Sequence, residues 1–197
     1  MKNIAISLGN RCDTAIWAVE NKFRENRENG YKTCPFDLCV SNYEGVVDCI
    51  KDDFLHLTDL NFLTLEYYGY KDIEVLNAFP KQLLIYNTKY NFCFNHESPC
   101  HANLDEIQEW ANGPTHFIDN DCTLFIERYN QRVQNFRNYL NDSNNHIVFM
   151  FKWDKCNGSD KCNGTDKCND RSDDCIELRN VLNIKYPKLS YSIYIIE

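Results

Sequence analysis

Ile4-Ala5-Ile6-Ser7-Leu8-Gly9-Asn10-Arg11-Cys12 is an apolar run that passes through a glycine into a helical pattern. Residues 3–8 read as a buried strand, and roughly 11–27 as the helix that follows. Ala15, Ile16, Val19 and Phe23 continue the apolar helical face. Ser7 and Gly9 suit a tight turn that needs small residues. Asn10 is the expected N-cap, with Asp13 three residues on as its partner in a capping box. Cys12 then falls in the first helical turn, where unpaired N–H groups and the helix dipole favour an anion such as a thiolate. Arg11 adds positive charge beside it and Asp13 subtracts some.

The other end of the sequence has the same grammar. His146 to Phe151 is an apolar, β-branched strand. Ile176 to Tyr186 is helical, with Pro187 ending it, and Tyr191 to Ile196 is a final strand. Strand, helix, strand is the parallel crossover unit. The fold expected is therefore three-layer α/β: a partly parallel sheet with flanking helices, Rossmann-like at both ends, in one domain over residues 1–197.

Between these ends the pattern is mixed. Glu25 to Gly30 closes the first helix with polar residues. Thr33-Cys34-Pro35-Phe36-Asp37 is a loop, because a residue before proline avoids helix. Tyr43 to Lys51 is a short helix, with Phe54 and Leu55 expected to pack after it. Residues 60–80 carry no clear period. Leu83 to Tyr86 and Tyr90 to Phe94, split by Asn87-Thr88-Lys89, read as a hairpin or as two short strands. Residues 97–116 are polar and read as an excursion over the surface. From 118 to 140, Phe125, Tyr129, Val133, Phe136 and Leu140 step by three and four along one helix face, with Arg128 and Arg132 a turn apart beside it.

The net charge of −8 over 197 residues argues against a nucleic-acid partner, which calls for a basic patch. No apolar run approaches the roughly 20 residues of a membrane span, and the first residues lack a signal peptide's apolar stretch. A reducing, cytoplasmic location is expected. Eleven cysteines, an odd number, then read as free thiols rather than a disulfide framework. The glycosylation sequons beginning at Asn141, Asn157 and Asn163 carry no weight in that compartment.

Asp154 to Asp170 holds three copies of a six-residue Cys-Asn-Gly unit. A metal site would use Cys156, Cys162, Cys168 and Cys175. Zinc sites usually place paired cysteines two to four residues apart, whereas the gap here is five. Residues 154–171 read instead as a disordered low-complexity insert, and no metal or cofactor is expected.

A thiolate nucleophile needs a base, usually histidine, and a group to orient it. Of five histidines, His96 is best placed, ending a β-rich run. His56, His101, His116 and His146 read as solvated or capping residues. Asp37 or Glu97 is the candidate third member, although Asp37 is equally suited to capping its own loop.

These residues carry a resemblance. Ser7-Leu8-Gly9-Asn10-Arg11-Cys12, Pro35-Phe36-Asp37-Leu38, Phe94-Asn95-His96-Glu97 and Tyr129-Asn130-Gln131-Arg132 follow one another in order, with Val148-Phe149-Met150-Phe151 and Tyr186-Pro187 to Tyr194 after them. The set resembles a papain-like cysteine peptidase family of unknown function found in bacteria and large DNA viruses, over nearly the whole chain except the insert. Leu38, Glu97-Ser98 and Gln131 depart from its pattern, which has Trp, Asp-Phe and Arg there. The resemblance implies a thiol hydrolase acting on a peptide or small-molecule substrate, in a host cytoplasm if the chain is viral. Papain-like folds pair a helical lobe with an antiparallel sheet, whereas the terminal strand–helix–strand pattern implies a parallel one. In a Rossmann-like sheet the Gly9-Asn10-Arg11 turn lies where ligands bind. The alternative is then a non-catalytic or transferase-type module that binds an anionic small molecule or sugar nucleotide there, with Arg132 and Arg128 as counter-charge. The glycines do not form Gly-x-Gly-x-x-Gly, which argues against a dinucleotide.

Overall fold

β1 (Lys2–Ser7), β5 (Asn145–Lys152) and β6 (Tyr191–Ile196) form a parallel sheet in the order β1-β5-β6. The computed structural model describes residues 1–67, 83–101, 110–152 and 175–196. β1 aligns Ile4 with Ile147 and Ile6 with Phe149; β5 aligns Phe149 with Ile193. Successive side chains on a strand point to opposite faces, and the packing follows that alternation. Ile4, Ile6, Leu8, Ile147, Phe149 and Phe151 join the main core. Ala5, Val148, Met150 and Ile196 form a smaller cluster with Ala18 of helix α1 (Cys12–Glu20).

On the main-core side lie α2 (Tyr43–Lys51), α3 (Asp119–Asn141) and α4 (Ile176–Lys185). Phe125, Tyr129, Val133, Phe136 and Leu140 are all buried, as their spacing requires. The Phe136 ring lies 6.2 Å from that of Phe149. α1 on one face and α3 and α4 on the other make the three layers expected.

A second, antiparallel sheet stands apart, in the order β2 (Leu63–Tyr67), β3 (Leu83–Asn87), β4 (Phe92–Cys93). β3 and β4 form a hairpin, pairing Tyr86 with Cys93 and Asn87 with Phe92. A bridge between Val40 and Cys93 ties the loop before α2 to it. Gly45 lets α2 lie against this hairpin, since a Cβ there would collide with the Tyr90 carbonyl and press on the Phe92 ring.

Several expectations change. α1 stops at Glu20 rather than near 27, because Lys22 turns into the left-handed region with φ 59°. Leu55 is 69% exposed while Phe54 is buried, so only Phe54 packs after α2. Asn120, Asp121 and Cys122 have positive φ, so the regular part of α3 begins after them. β2 lies in the stretch that showed no period. Residues 97–116 do not begin as surface: Glu97 and Ser98 are fully buried, and Trp110 is buried too. The Cys-Asn-Gly insert, with Cys156, Cys162 and Cys168, lies outside the described residues.

Candidate active site

The turn between β1 and α1 is fastened from four directions. Gly9 N donates to Ser7 Oγ at 3.1 Å, and Thr14 Oγ1 donates to the Gly9 carbonyl at 3.0 Å. Asn10 N donates to Ser41 Oγ at 3.1 Å, and that hydroxyl donates to the Leu8 carbonyl at 3.3 Å. Asn10 Nδ2 crosses to the Lys152 carbonyl at the end of β5, 3.0 Å away. Gly9 has φ +94° and Asn10 φ +75°. Only glycine fits the first position, since a Cβ would overlap Ser41 Oγ.

These bonds overturn the expected capping box. The N-cap is Arg11, which makes no side-chain cap bond. Asn10 cannot serve, because its backbone is left-handed and its amide is committed to β5. The result still leaves Cys12 as the first residue of α1, partly exposed, at the carboxyl end of the parallel sheet. Its Sγ lies 4.0 Å from Asp13 Oδ1, and Asp13 Oδ2 lies 3.5 Å from Lys152 Nζ. Arg11 is exposed.

Burial pushes Cys34, Cys39 and Cys49 well up from the ordinary thiol range; Asp37 adds to the effect at Cys34. Burial likewise raises Cys122, and lifts Cys93 to about 12 and Cys100 to about 11. Cys175 is buried at the start of α4.

Asp37 faces inward. Its Oδ1 accepts from Arg24 Nη1 at 2.7 Å, and its Oδ2 from Tyr31 Oη at 3.0 Å and Cys34 N at 2.7 Å. The Arg24 guanidinium stacks 3.9 Å from the Tyr31 ring centre. Burial works against the Arg24 charge, but Asp37 and Tyr31 outweigh it, and the proton is held more tightly than usual. Both carboxylate oxygens are engaged, so Asp37 caps its own loop and anchors Arg24.

His96 sits in a short 3-10 turn, Asn95–Glu97, just after β4. Its neighbours hold that turn rigidly. Ser98 Oγ accepts from Ile85 N at 2.8 Å and donates to the Phe94 carbonyl at 2.6 Å. Glu97 Oε1 accepts from Arg132 Nη2 at 2.7 Å and Arg128 Nη1 at 3.4 Å, while Oε2 accepts from Tyr129 Oη at 3.2 Å. Burial opposes the Arg132 charge, yet Glu97 more than compensates and raises its pKa. Arg128 also lies 4.2 Å above the Phe117 ring centre.

The predicted residues are thus sorted by the fold. Arg128 and Arg132 come together on Glu97, a single carboxylate that balances one of their two charges. Asp37 joins Arg24. Gly9, Asn10 and Arg11 carry Cys12 at the end of the parallel sheet, and His96 stands on the turn that follows the antiparallel one. Arg24, Tyr31 and Ser41 were not singled out from the sequence. Arg24 looked like one charge in a polar helix end, and nothing local marks a hydroxyl that clamps a turn 31 positions away. Among the described residues, no three His, Cys, Asp or Glu side chains gather as metal ligands. Likewise among them, no helix is long and apolar enough to cross a membrane. Compared with known family models, curated proteins and solved structures, the chain matches none.

Proposed function

We propose that this chain is a thiol hydrolase of the papain-like kind that its motifs resemble, with Cys12 as nucleophile and His96 as proton carrier. One observation carries the reading: a partly exposed cysteine at the first position of a helix, on a turn locked by its own hydrogen bonds. A fixed helix N-terminus favours a sulfur anion and offers unpaired N–H groups to a developing oxyanion. The comparable signal is lacking at the deeply buried thiols.

In this reading His96 takes the Cys12 proton as Sγ attacks an acyl carbon. The tetrahedral oxygen rests on N–H groups of the first turn of α1. His96 then protonates the leaving group, and the acyl–sulfur bond is cleaved by water that His96 deprotonates. Asp37 and Glu97 each accept from three other donors, so this reading does not rely on either as a third member. The reading is therefore a dyad.

Limiting iodoacetamide near pH 7, read by peptide mapping, tests it. Cys12 labels first, and His96→Gln slows that labelling at least tenfold at neutral pH. Labelling of Cys93, Cys100 or Cys122 at the same rate removes the nucleophile. The anion-binding alternative then moves ahead, with the exposed Arg11 on the turn as its nearest counter-charge.

A further inference from the structure

The parallel sheet ends on β6, and among the described residues no strand pairs with its outer edge. The register shows which groups face that edge. Ile147 N donates to the Ser190 carbonyl at 2.9 Å, and Ile147 is aligned with Tyr191. Backbone groups alternate sides along a paired strand. Ser192, Tyr194 and Ile196 therefore turn their N–H groups toward β5. Tyr191, Ile193 and Ile195 turn both N–H and C=O outward.

An open edge is normally guarded by charge, proline or a bulge. β6 has none of these. Leu189 to Ile196 holds no charged residue and no proline, and Tyr191 to Ile196 pair with β5 in unbroken register. The strand at the other end of the same sheet, β1, begins with Lys2-Asn3, and β2 of the second sheet carries Glu66. Apolar surface flanks β6 on both faces. On the α1 face the Tyr194 side chain is 42% exposed, its ring 5.6 Å from that of Trp17 and 5.5 Å from that of Phe23. On the other face Tyr191 Oη donates to Asn183 Oδ1 of α4 at 3.0 Å, and the next helix residue, Ile184, is 81% exposed.

The pattern of outward groups selects the occupant. Tyr191, Ile193 and Ile195 are symmetric about Ile193. A second β6, antiparallel about a two-fold axis through Ile193, pairs Ile193 with its own counterpart and Tyr191 with Ile195 of the second copy. That one register satisfies every outward N–H and C=O of the three residues. A two-fold pair is closed, so it leaves no further edge to grow.

We propose that β6 pairs with β6 of a second copy of this chain and joins the two parallel sheets into one of six strands. Ser192 then stands opposite Tyr194 of the second copy, which brings the exposed Tyr194 ring into the contact. The two Cys12 turns lie at opposite ends of the joined sheet. The pairing does not rest on the hydrolase reading.

Sedimentation velocity of the full chain, from low to high micromolar concentration, tests it. A reversible dimer forms and persists in high salt, because hydrogen bonds and apolar contacts hold it and each copy carries a net charge of −8. Ile195→Pro removes only an outward N–H and weakens the dimer at least tenfold, with the circular dichroism spectrum unchanged. A cross-link fixes the register independently of that variant. Opposite residues in a non-hydrogen-bonded pair have Cα atoms about 4.5 Å apart, within the reach of a disulfide. Ser192→Cys and Tyr194→Cys chains, mixed and mildly oxidised, therefore join through the two introduced thiols, as read by peptide mapping. Neither variant does so alone. A monomer at every concentration overturns the proposal, as does a dimer that salt disperses, that Ile195→Pro leaves unchanged, or that cross-links in another register. Amide hydrogen exchange identifies the occupant. Protection of Ile193 and Ile195 that rises with dimer formation supports the pairing. Protection in a monomer assigns the edge to another segment of the same chain and overturns it.

Discussion

Two buried networks in this protein each combine an arginine, a carboxylate and a tyrosine, to different ends. Arg24, Asp37 and Tyr31 form one; Arg132, Glu97 and Tyr129 form the other. In each, an arginine nitrogen lies 2.7 Å from a carboxylate oxygen. In each, a tyrosine hydroxyl donates to the second oxygen, at 3.0 Å and 3.2 Å. In each, the guanidinium also lies against the tyrosine ring, at 3.9 Å and 4.6 Å. The first network borders an open cleft, and its members fall within a short stretch of sequence. The second is sealed in the main core and joins α3 to the turn that carries His96. A buried carboxylate near a conspicuous motif therefore marks an anchor as readily as a catalyst, and its partners decide which.

Removing the carboxylates gives the largest expected effects and probes that difference. Glu97→Ala strands the Arg132 charge in the core, and its expected cost is about 3–5 kcal/mol. Asp37→Ala leaves Arg24, which lines a surface cleft, with the Tyr31 ring and the Ala15 carbonyl, and its expected cost is about 1.5–3 kcal/mol. Urea unfolding of the two variants measures both. Equal losses would break the distinction between a sealed and a cleft-side network.

Smaller effects sharpen the likeness. Tyr129→Phe and Tyr31→Phe each remove one hydrogen bond from a carboxylate that keeps its arginine, and each is expected to cost about 1–2 kcal/mol. A tyrosine substitution that costs as much as loss of its carboxylate would make the hydroxyl, not the ion pair, the centre of that network.

The last effect, spread over several buried groups rather than one contact, is a shared dependence on alkaline pH. Burial, then the neighbouring carboxylate, holds both Tyr31 and Tyr129 well above the ordinary phenol value of 10.0. The folded chain keeps protons that the unfolded chain releases, so this contribution is whole below pH 10 and is lost as pH climbs toward the raised values. Cys100 and Cys93, raised from 9.0 to about 11 and about 12, begin the decline earlier. The urea midpoint is expected to fall steadily between pH 9 and 11, and either tyrosine-to-phenylalanine variant to flatten the upper part of that fall. A midpoint that is level over this range would deny the phenols and thiols their buried state.

Residue order alone determined the elements whose period is strong. The parallel strands 146–151 and 191–196, helix 43–51, the hairpin near 87 and the α3 stripe could all be read from side-chain spacing, because burial on one face imposes that spacing locally. It also determined that Gly9 turns the chain and that Cys12 begins a helix. Only the tertiary structure decided how that turn is held, since Ser41 and the Lys152 carbonyl arrive from 31 and 142 positions away. It likewise turned Asp37, Glu97, Arg128 and Arg132 from candidate site residues into partners of one another or of Arg24. A charge in the sequence names no partner. Which opposite charge lies within 3 Å of it once water is excluded is fixed by packing between distant segments, and that packing assigns its role.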